Sequence, residues 1–310
     1  MSHKHPIIAV TGSSGAGTTS VQHAFAEIFR RLEINSVYVH GDAFFRYGRS
    51  AMAKAIDDSV VAGKPISHFG PETNLFGELE SLFREYSTSG TGKIRHYVKD
   101  EEDAALHKAP AGEFTDWMPL PATSELLFYE GLHGGVAANT WTRRRTKPAQ
   151  AQAHQPERRQ GKAGIDVARY VDLLIGVVPI VNLEWIQKIS RDCSKGKCTL
   201  EGVTSTILRR MNDYINIIVP QFSVTDINFQ RVPMVDTSNP FENQDVPSAD
   251  ESLVVIHFRH PQRHDFPALL NKISGAFMSR PNTMVVPGGN LAHAMEVICT
   301  PIILSLIQAT

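Results

Sequence analysis

Four consecutive apolar residues, Ile7, Ile8, Ala9 and Val10, stand just before a cluster of glycines. A short unbroken apolar run suits a strand buried on both faces of a parallel sheet, because helices then cover both of its surfaces. From Thr18 the pattern changes, and Val21, Phe25, Ile28, Phe29 and Leu32 recur every three or four positions, as one buried stripe of an amphipathic helix does. The chain therefore opens as strand, glycine loop, helix. Further apolar runs predict strands at 36–40, 126–129, 171–178, 232–235, 253–258 and 283–286, with helical spacing between most of them. That alternation predicts an α/β fold with a mostly parallel mixed sheet and helices on both faces. No linker divides the 310 residues, so a single domain spanning 1–310 is expected.

One stretch breaks the pattern. Between Thr142 and Gly164 the chain carries Arg143, Arg144, Arg145, Lys147, Arg158, Arg159 and Lys162 against the single acid Glu157, without apolar periodicity. This composition predicts a basic, flexible surface insertion at 142–164 whose deletion leaves turnover within a few fold. Over the whole chain 31 basic and 32 acidic residues leave a formal charge of -1, which gives no broad field for nucleic acid or an acidic membrane, and neither is expected as a partner. The apolar run at 173–181 is interrupted by Gly176 and Pro179 and is too short to span a bilayer. The three cysteines, Cys193, Cys198 and Cys299, are too few and too irregular for a disulfide framework; free thiols and a cytoplasmic location are expected.

Gly12, Ser13, Ser14, Gly15, Ala16, Gly17, Thr18 and Thr19 fit GxxxxG followed by two hydroxyl residues, set between a buried strand and a helix. Glycines let successive N–H groups curl around a phosphate, the helix start adds positive dipole, and the last hydroxyl can ligate Mg²⁺. ATP with Mg²⁺ is therefore the expected cofactor, Thr19 a metal ligand, and the fold P-loop NTPase-like, of the nucleoside and adenylate kinase type. The position usually held by a phosphate-binding Lys is Thr18, so that charge has to come from elsewhere. The spacing of the first two glycines differs from that of the short-chain dehydrogenases, and no Tyr is followed four positions on by Lys. Asp42, after the second strand, stands where it could take the proton of an attacking hydroxyl, although an Asp after Gly is also a common turn residue. Arg46 and Arg49 in the same loop suit a substrate phosphate. Glu130 at the tip of the third strand suits a metal, with Gly131 allowing close approach. Lys188, Arg191 and Asp192 share one helix face, either as a site for the transferring phosphoryl or as a solvated surface pair.

The order of these motifs resembles the bacterial branch of the phosphoribulokinases. The resemblance is carried by VTGSSGAGTT at 10–19, GDAF at 41–44 with Arg49, FTDW at 114–117, LLFYEGLHG at 126–134, VNLEWIQKI with RD at 181–192, LRRM at 208–211, and the stretch from IVPQFSVTDINFQRVP to DTSNPF at 218–241. It implies transfer of the γ-phosphoryl of MgATP to ribulose 5-phosphate, giving ribulose 1,5-bisphosphate for the Calvin cycle. On this basis Asp42 is the general base, and Glu130 and Asp192 are carboxylates near the metal. Arg49 and His133 lie on the substrate side, Lys188 and Arg191 serve the phosphoryl, and Arg209 and Arg210 close over substrate or nucleotide. The family also implies a homo-oligomer activated by NADH through an Arg like Arg31, which near a helix end could equally offset the helix dipole. Lys188 becomes the natural substitute for the missing loop Lys. Three positions depart from the family pattern, Phe45, Ala53 and Gly196, and bear on substrate affinity. Ala16 replaces the Cys through which chloroplast members are switched. The alternatives are a uridine- or pantothenate-kinase-like enzyme, and a nucleotide-binding regulatory protein that has lost catalysis.

Overall fold

The computed structural model describes residues 4–12, 18–137, 164–194, 199–242 and 245–309. Ser13 to Gly17 of the glycine loop, the insertion from Thr142 to Ala163, and Gly196 lie outside the described residues. The first strand, β1 (Ile7–Gly12), is buried at all six positions, as its apolar run requires, and leads towards α1 (Thr18–Arg31). After β2 (Ser36–His40) the chain makes a 3-10 turn at Gly41–Phe44 and continues through α2 (Arg49–Val61) and α3 (Phe76–Ser89). A small ribbon, β3 (Lys93–Ile94) with β4 (Met118–Pro119), encloses α4 (Glu101–His107). Asp100 caps α4 by accepting from the N–H groups of Glu102 and Asp103. Then follow β5 (Leu126–Gly131), β6 (Leu173–Val178), α5 (Val181–Ser194), α6 (Leu200–Asp213), β7 (Ile227–Pro233), β8 (Ser252–Phe258), α7 (Phe266–Lys272), β9 (Phe277–Arg280), β10 (Thr283–Pro287) and α8 (Leu291–Gln308).

The main sheet runs β2-β5-β1-β6-β7-β8-β10-β9. Its first five strands are mutually parallel and the rest antiparallel, which makes the sheet mixed, as expected. The strand expected at 232–235 is the tail of β7, which begins at Ile227 and ends at Pro233. Its first half alternates buried Ile227 and Phe229 with the half-buried Asn228 and Gln230, so no continuous apolar run marks it. β6 starts at Leu173 because Val171 ends a 3-10 turn. Helices cover both faces. On one, Val21, Phe25 and Phe29 of α1 pack with Phe128, Met295 and Ile298, and the Phe25 and Phe128 rings stack at 5.0 Å. On the other, Leu79, Leu82, Phe83 and Tyr86 of α3 meet Leu127, Tyr129 and Leu174. Residues Gly288–Gln308 are long and apolar enough by length and composition to cross a bilayer, with mean hydropathy 1.6. In the fold α8 packs against α1 and buries Ala294, Met295, Ile298, Cys299 and Ile303, the face of a core helix.

Candidate active site

The carboxyl ends of β1, β2 and β5 converge on one cleft of about 460 Å³, whose lining includes Gly12, Asp42, Glu130, Lys188, Arg191 and Arg210. Glycine makes the convergence possible. A Cβ on Gly41 would stand 2.8 Å from the Cα of Gly131, so the chain can leave β2 and β5 side by side only without side chains there. A Cβ on Gly12 would come within 2.6 Å of the Val177 carbonyl oxygen. The sequence-predicted Asp42 and Glu130 are thereby brought together, with His40 between them. His40 Nδ1 lies 3.5 Å from Asp42 Oδ2, and its Nε2 lies 3.5 Å from Glu130 Oε2. The ring also accepts the Asp42 N–H at 3.2 Å, which caps the 3-10 turn. Lys99 brings a cation from the loop before α4, its Nζ 3.9 Å from Asp42 Oδ2 and 3.2 Å from His40 Nε2. Tyr38 donates its hydroxyl to Glu130 Oε2 at 2.9 Å. Burial, and then the charge of Glu130, push that phenol above its usual range, so it stays protonated and remains a donor.

The opposite wall is cationic and comes from α5 and α6. Lys188 Nζ donates to Asp192 Oδ2 at 2.5 Å, and Arg191 Nε to Asp192 Oδ1 at 3.0 Å. Burial lowers the Lys188 ammonium pKa, and the Asp192 contact opposes this. Burial would raise the Asp192 carboxyl, but hydrogen bonds from Lys188 and Arg191 outweigh it and hold the pKa below normal. The buried Arg210 guanidinium is pulled down to about 10 by burial and by neighbouring Arg209, and still carries its charge at neutral pH. Its Nη2 lies 3.2 Å from His68 Nδ1. Burial and the adjacent arginines drive the His68 ring down to about 3, so it is neutral, and Nδ1 accepts from Arg210 because a guanidinium can only donate.

A second cavity of about 320 Å³ adjoins the first and shares Phe45 and His68 with it. Arg49, Ala53 and Tyr97 line it. Arg49 opens α2 and donates to the Lys99 carbonyl. Two of the three departures from the family pattern, Phe45 and Ala53, therefore face the same space as Arg49.

Other expected site residues fall elsewhere. His133 lines neither cavity: its ring is buried and packs edge-on against Phe76 at 4.6 Å, and burial lowers its pKa to about 3. The placement is that of a neutral buried residue; after Glu130 the loop turns Leu132 towards the cleft and His133 towards Phe76 of α3. Arg209 sits beside Arg210 on α6 without lining either cavity, although its charge reaches His68. Arg31 lies outside the cleft and bonds Glu27 at 2.8 Å and Glu296 of α8, tying the two helices together. Thr18 and Thr19 open α1. Sequence reasoning missed His40, His68, Lys99 and Tyr38, which stand in loops or on a strand whose pattern only reports packing.

Comparison with known proteins agrees with this geometry. A model of the phosphoribulokinase / uridine kinase family matches residues 7–238. The phosphoribulokinase of Nitrobacter vulgaris is 52% identical over 309 residues, which cover 99% of this chain and 98% of the relative. The chromosomal phosphoribulokinase of Cupriavidus necator is 51% identical over the same shares of both chains. The solved structure of phosphoribulokinase from Rhodobacter spheroides superposes with a TM-score of 0.83 at 47% identity, covering 98% of each chain.

Proposed function

Because the chain belongs to the phosphoribulokinase and uridine kinase family, we propose that it transfers the γ-phosphoryl group of MgATP to the 1-hydroxyl of ribulose 5-phosphate, giving ribulose 1,5-bisphosphate and ADP. The observation that carries this reading is the pair of adjoining cavities. One holds a carboxylate able to take a hydroxyl proton, Asp42, and the other a guanidinium suited to a phosphate, Arg49. A sugar bearing a phosphate at one end and a hydroxyl at the other uses both.

In the reaction the substrate O–H proton passes to the Asp42 carboxylate as the oxygen forms its bond to the γ-phosphorus. The bond from that phosphorus to the ADP oxygen breaks, and ADP leaves with the electron pair. Lys99 lies beside Asp42, its Nζ 3.9 Å from Oδ2, and adds a cation to the wall that faces the phosphates. The glycine loop from Gly12 to Thr19 cradles the nucleotide phosphates. Lys188 and Arg191 hold the transferring group, and Arg210 adds charge behind them. Mg²⁺ bound with ATP would neutralise charge on the phosphates, and Glu130, whose carboxylate lines the cleft, with Thr19 and Asp192 would be the residues to hold it. Asp192 also engages Lys188 through Oδ2 and Arg191 through Oδ1, and so positions both side chains.

The test is ADP release with a panel of acceptors. Turnover is expected on ribulose 5-phosphate and not on uridine or pantothenate. Turnover on one of the latter alone, or ATP binding with no ADP release from any acceptor, would overturn the reading.

A further inference from the structure

We infer that Arg95 positions Asp42 for its work as base by bracketing the turn that carries it; the inference rests on the reading of Asp42 given above. Asp42 stands in a 3-10 turn of four residues, Gly41–Phe44, and so short a helix leaves its last carbonyls without partners of its own. Two of those carbonyls are taken by backbone: Asp42 by the N–H of Phe45 at 3.2 Å, and Phe44 by the N–H of Leu75 at 2.7 Å. The carbonyls of Ala43 and Phe45 go to one side chain. Arg95 Nε donates to Ala43 at 2.8 Å and Nη2 to Phe45 at 2.5 Å.

The guanidinium is itself held. Its carbon lies 3.7 Å from the centre of the Phe114 ring and 4.9 Å from that of Trp117, so aromatic faces fix the plane from which the two donors project. On the other side of Asp42 the backbone is held where Gly41 abuts Gly131. Asp42 is thus pinned before and after, by a close glycine contact and by a planar fork. Because the fork also holds Phe45, it sets the aromatic wall shared by the two cavities. Arg95 lines neither cavity, so it acts through the turn and is a positioning residue.

Arg95→Lys keeps the charge but replaces a two-pronged planar donor by a single point donor with no flat face to stack. Its kcat with ribulose 5-phosphate should fall about 10- to 30-fold, because small misplacement of a base is costly. The KM for MgATP should stay within about twofold, since the glycine loop and α5 do not depend on Arg95, while the KM for the sugar phosphate rises. Arg95→Ala should lose more, and millimolar guanidinium should restore part of its kcat while doing nothing for Asp42→Asn. A near-normal kcat in folded Arg95→Lys overturns the inference. So does a parallel loss in both KM values, or failure of both variants to fold, which would make Arg95 purely structural. The underlying reading fails separately, in the unmutated protein or in Asp42→Asn: no turnover of ribulose 5-phosphate by the first, or full turnover by the second.

Discussion

Thr18 supplies no charge in the glycine loop, and the cleft draws its positive charge from α5 and α6 together with Lys99. Lys188 is mostly buried and faces the same space as Asp42 and Glu130. Charge developing on the moving phosphoryl and on the leaving oxygen would be met there by a cation already in place, an effect of ~3 kcal/mol or about 10²-fold in rate. Lys188→Met should therefore lower kcat about 100-fold and leave ATP affinity within a fewfold, as read from steady-state kinetics and nucleotide binding. Asp42→Asn should lower kcat at least as far. If Arg191→Gln gives the large loss and Lys188→Met does not, the compensating charge is Arg191, one helical turn away. Residues of this kind were legible from sequence when they stood at a strand tip or repeated along a helix, as Asp42, Glu130 and Lys188 do. Lys99 was not, because the loop before α4 has no periodicity that points to Asp42. His133 shows the converse limit: it belongs to a recognisable motif, yet burial against Phe76 decides what its ring meets.

Elements meet at the site through a residue no pattern would single out. Gln221 is fully buried and uses its whole amide. Its Oε1 accepts from Thr11 Oγ1 at 3.0 Å and from the Gly135 N–H at 2.9 Å, while Nε2 donates to the carbonyls of Leu132 at 2.9 Å and Ile217 at 3.1 Å. One side chain thus ties the end of β1, just before the glycine loop, to the segment after β5 and to the π-helical turn at Tyr214–Ile218 that follows α6. Gln221→Met keeps the volume but strands several buried polar groups, at ~1–3 kcal/mol for each group left unsatisfied. The melting temperature should drop by at least about 5 °C, and the KM for ATP should rise as Thr11 keeps only its bond to the Leu132 carbonyl. An unchanged melting curve would mean that water replaces the amide and that the junction is held by packing alone. The elements themselves were largely legible, β1, α1 and β5 especially, since fully buried strands and one-sided helices write their periods plainly. β7 was half-missed because its first residues alternate, and the two-residue strands β3 and β4 are too short to show any period.

At the scale of the whole molecule the sheet divides by function. The parallel strands β2, β5 and β1 bring their ends to the cleft, whereas β8, β10 and β9 contribute none of its lining and serve the core with α8. Alternating strand and helix patterns predict the parallel half; the antiparallel return of β8 against β7 depends on which edge the chain finds free, which local spacing does not encode. The basic stretch enters as a separate question, because its composition gives it no apolar face to add to either core. Deleting Arg144 to Lys162 should leave the melting temperature unchanged and kcat/KM for ribulose 5-phosphate within about threefold, since a segment of this composition has no large apolar side chains to contribute to a core. Activity abolished in a deletion variant with a native circular dichroism spectrum would make the stretch part of the site, with its arginines competing for the same phosphates as Lys188 and Arg191. A fall in melting temperature with activity retained would instead assign it to the fold.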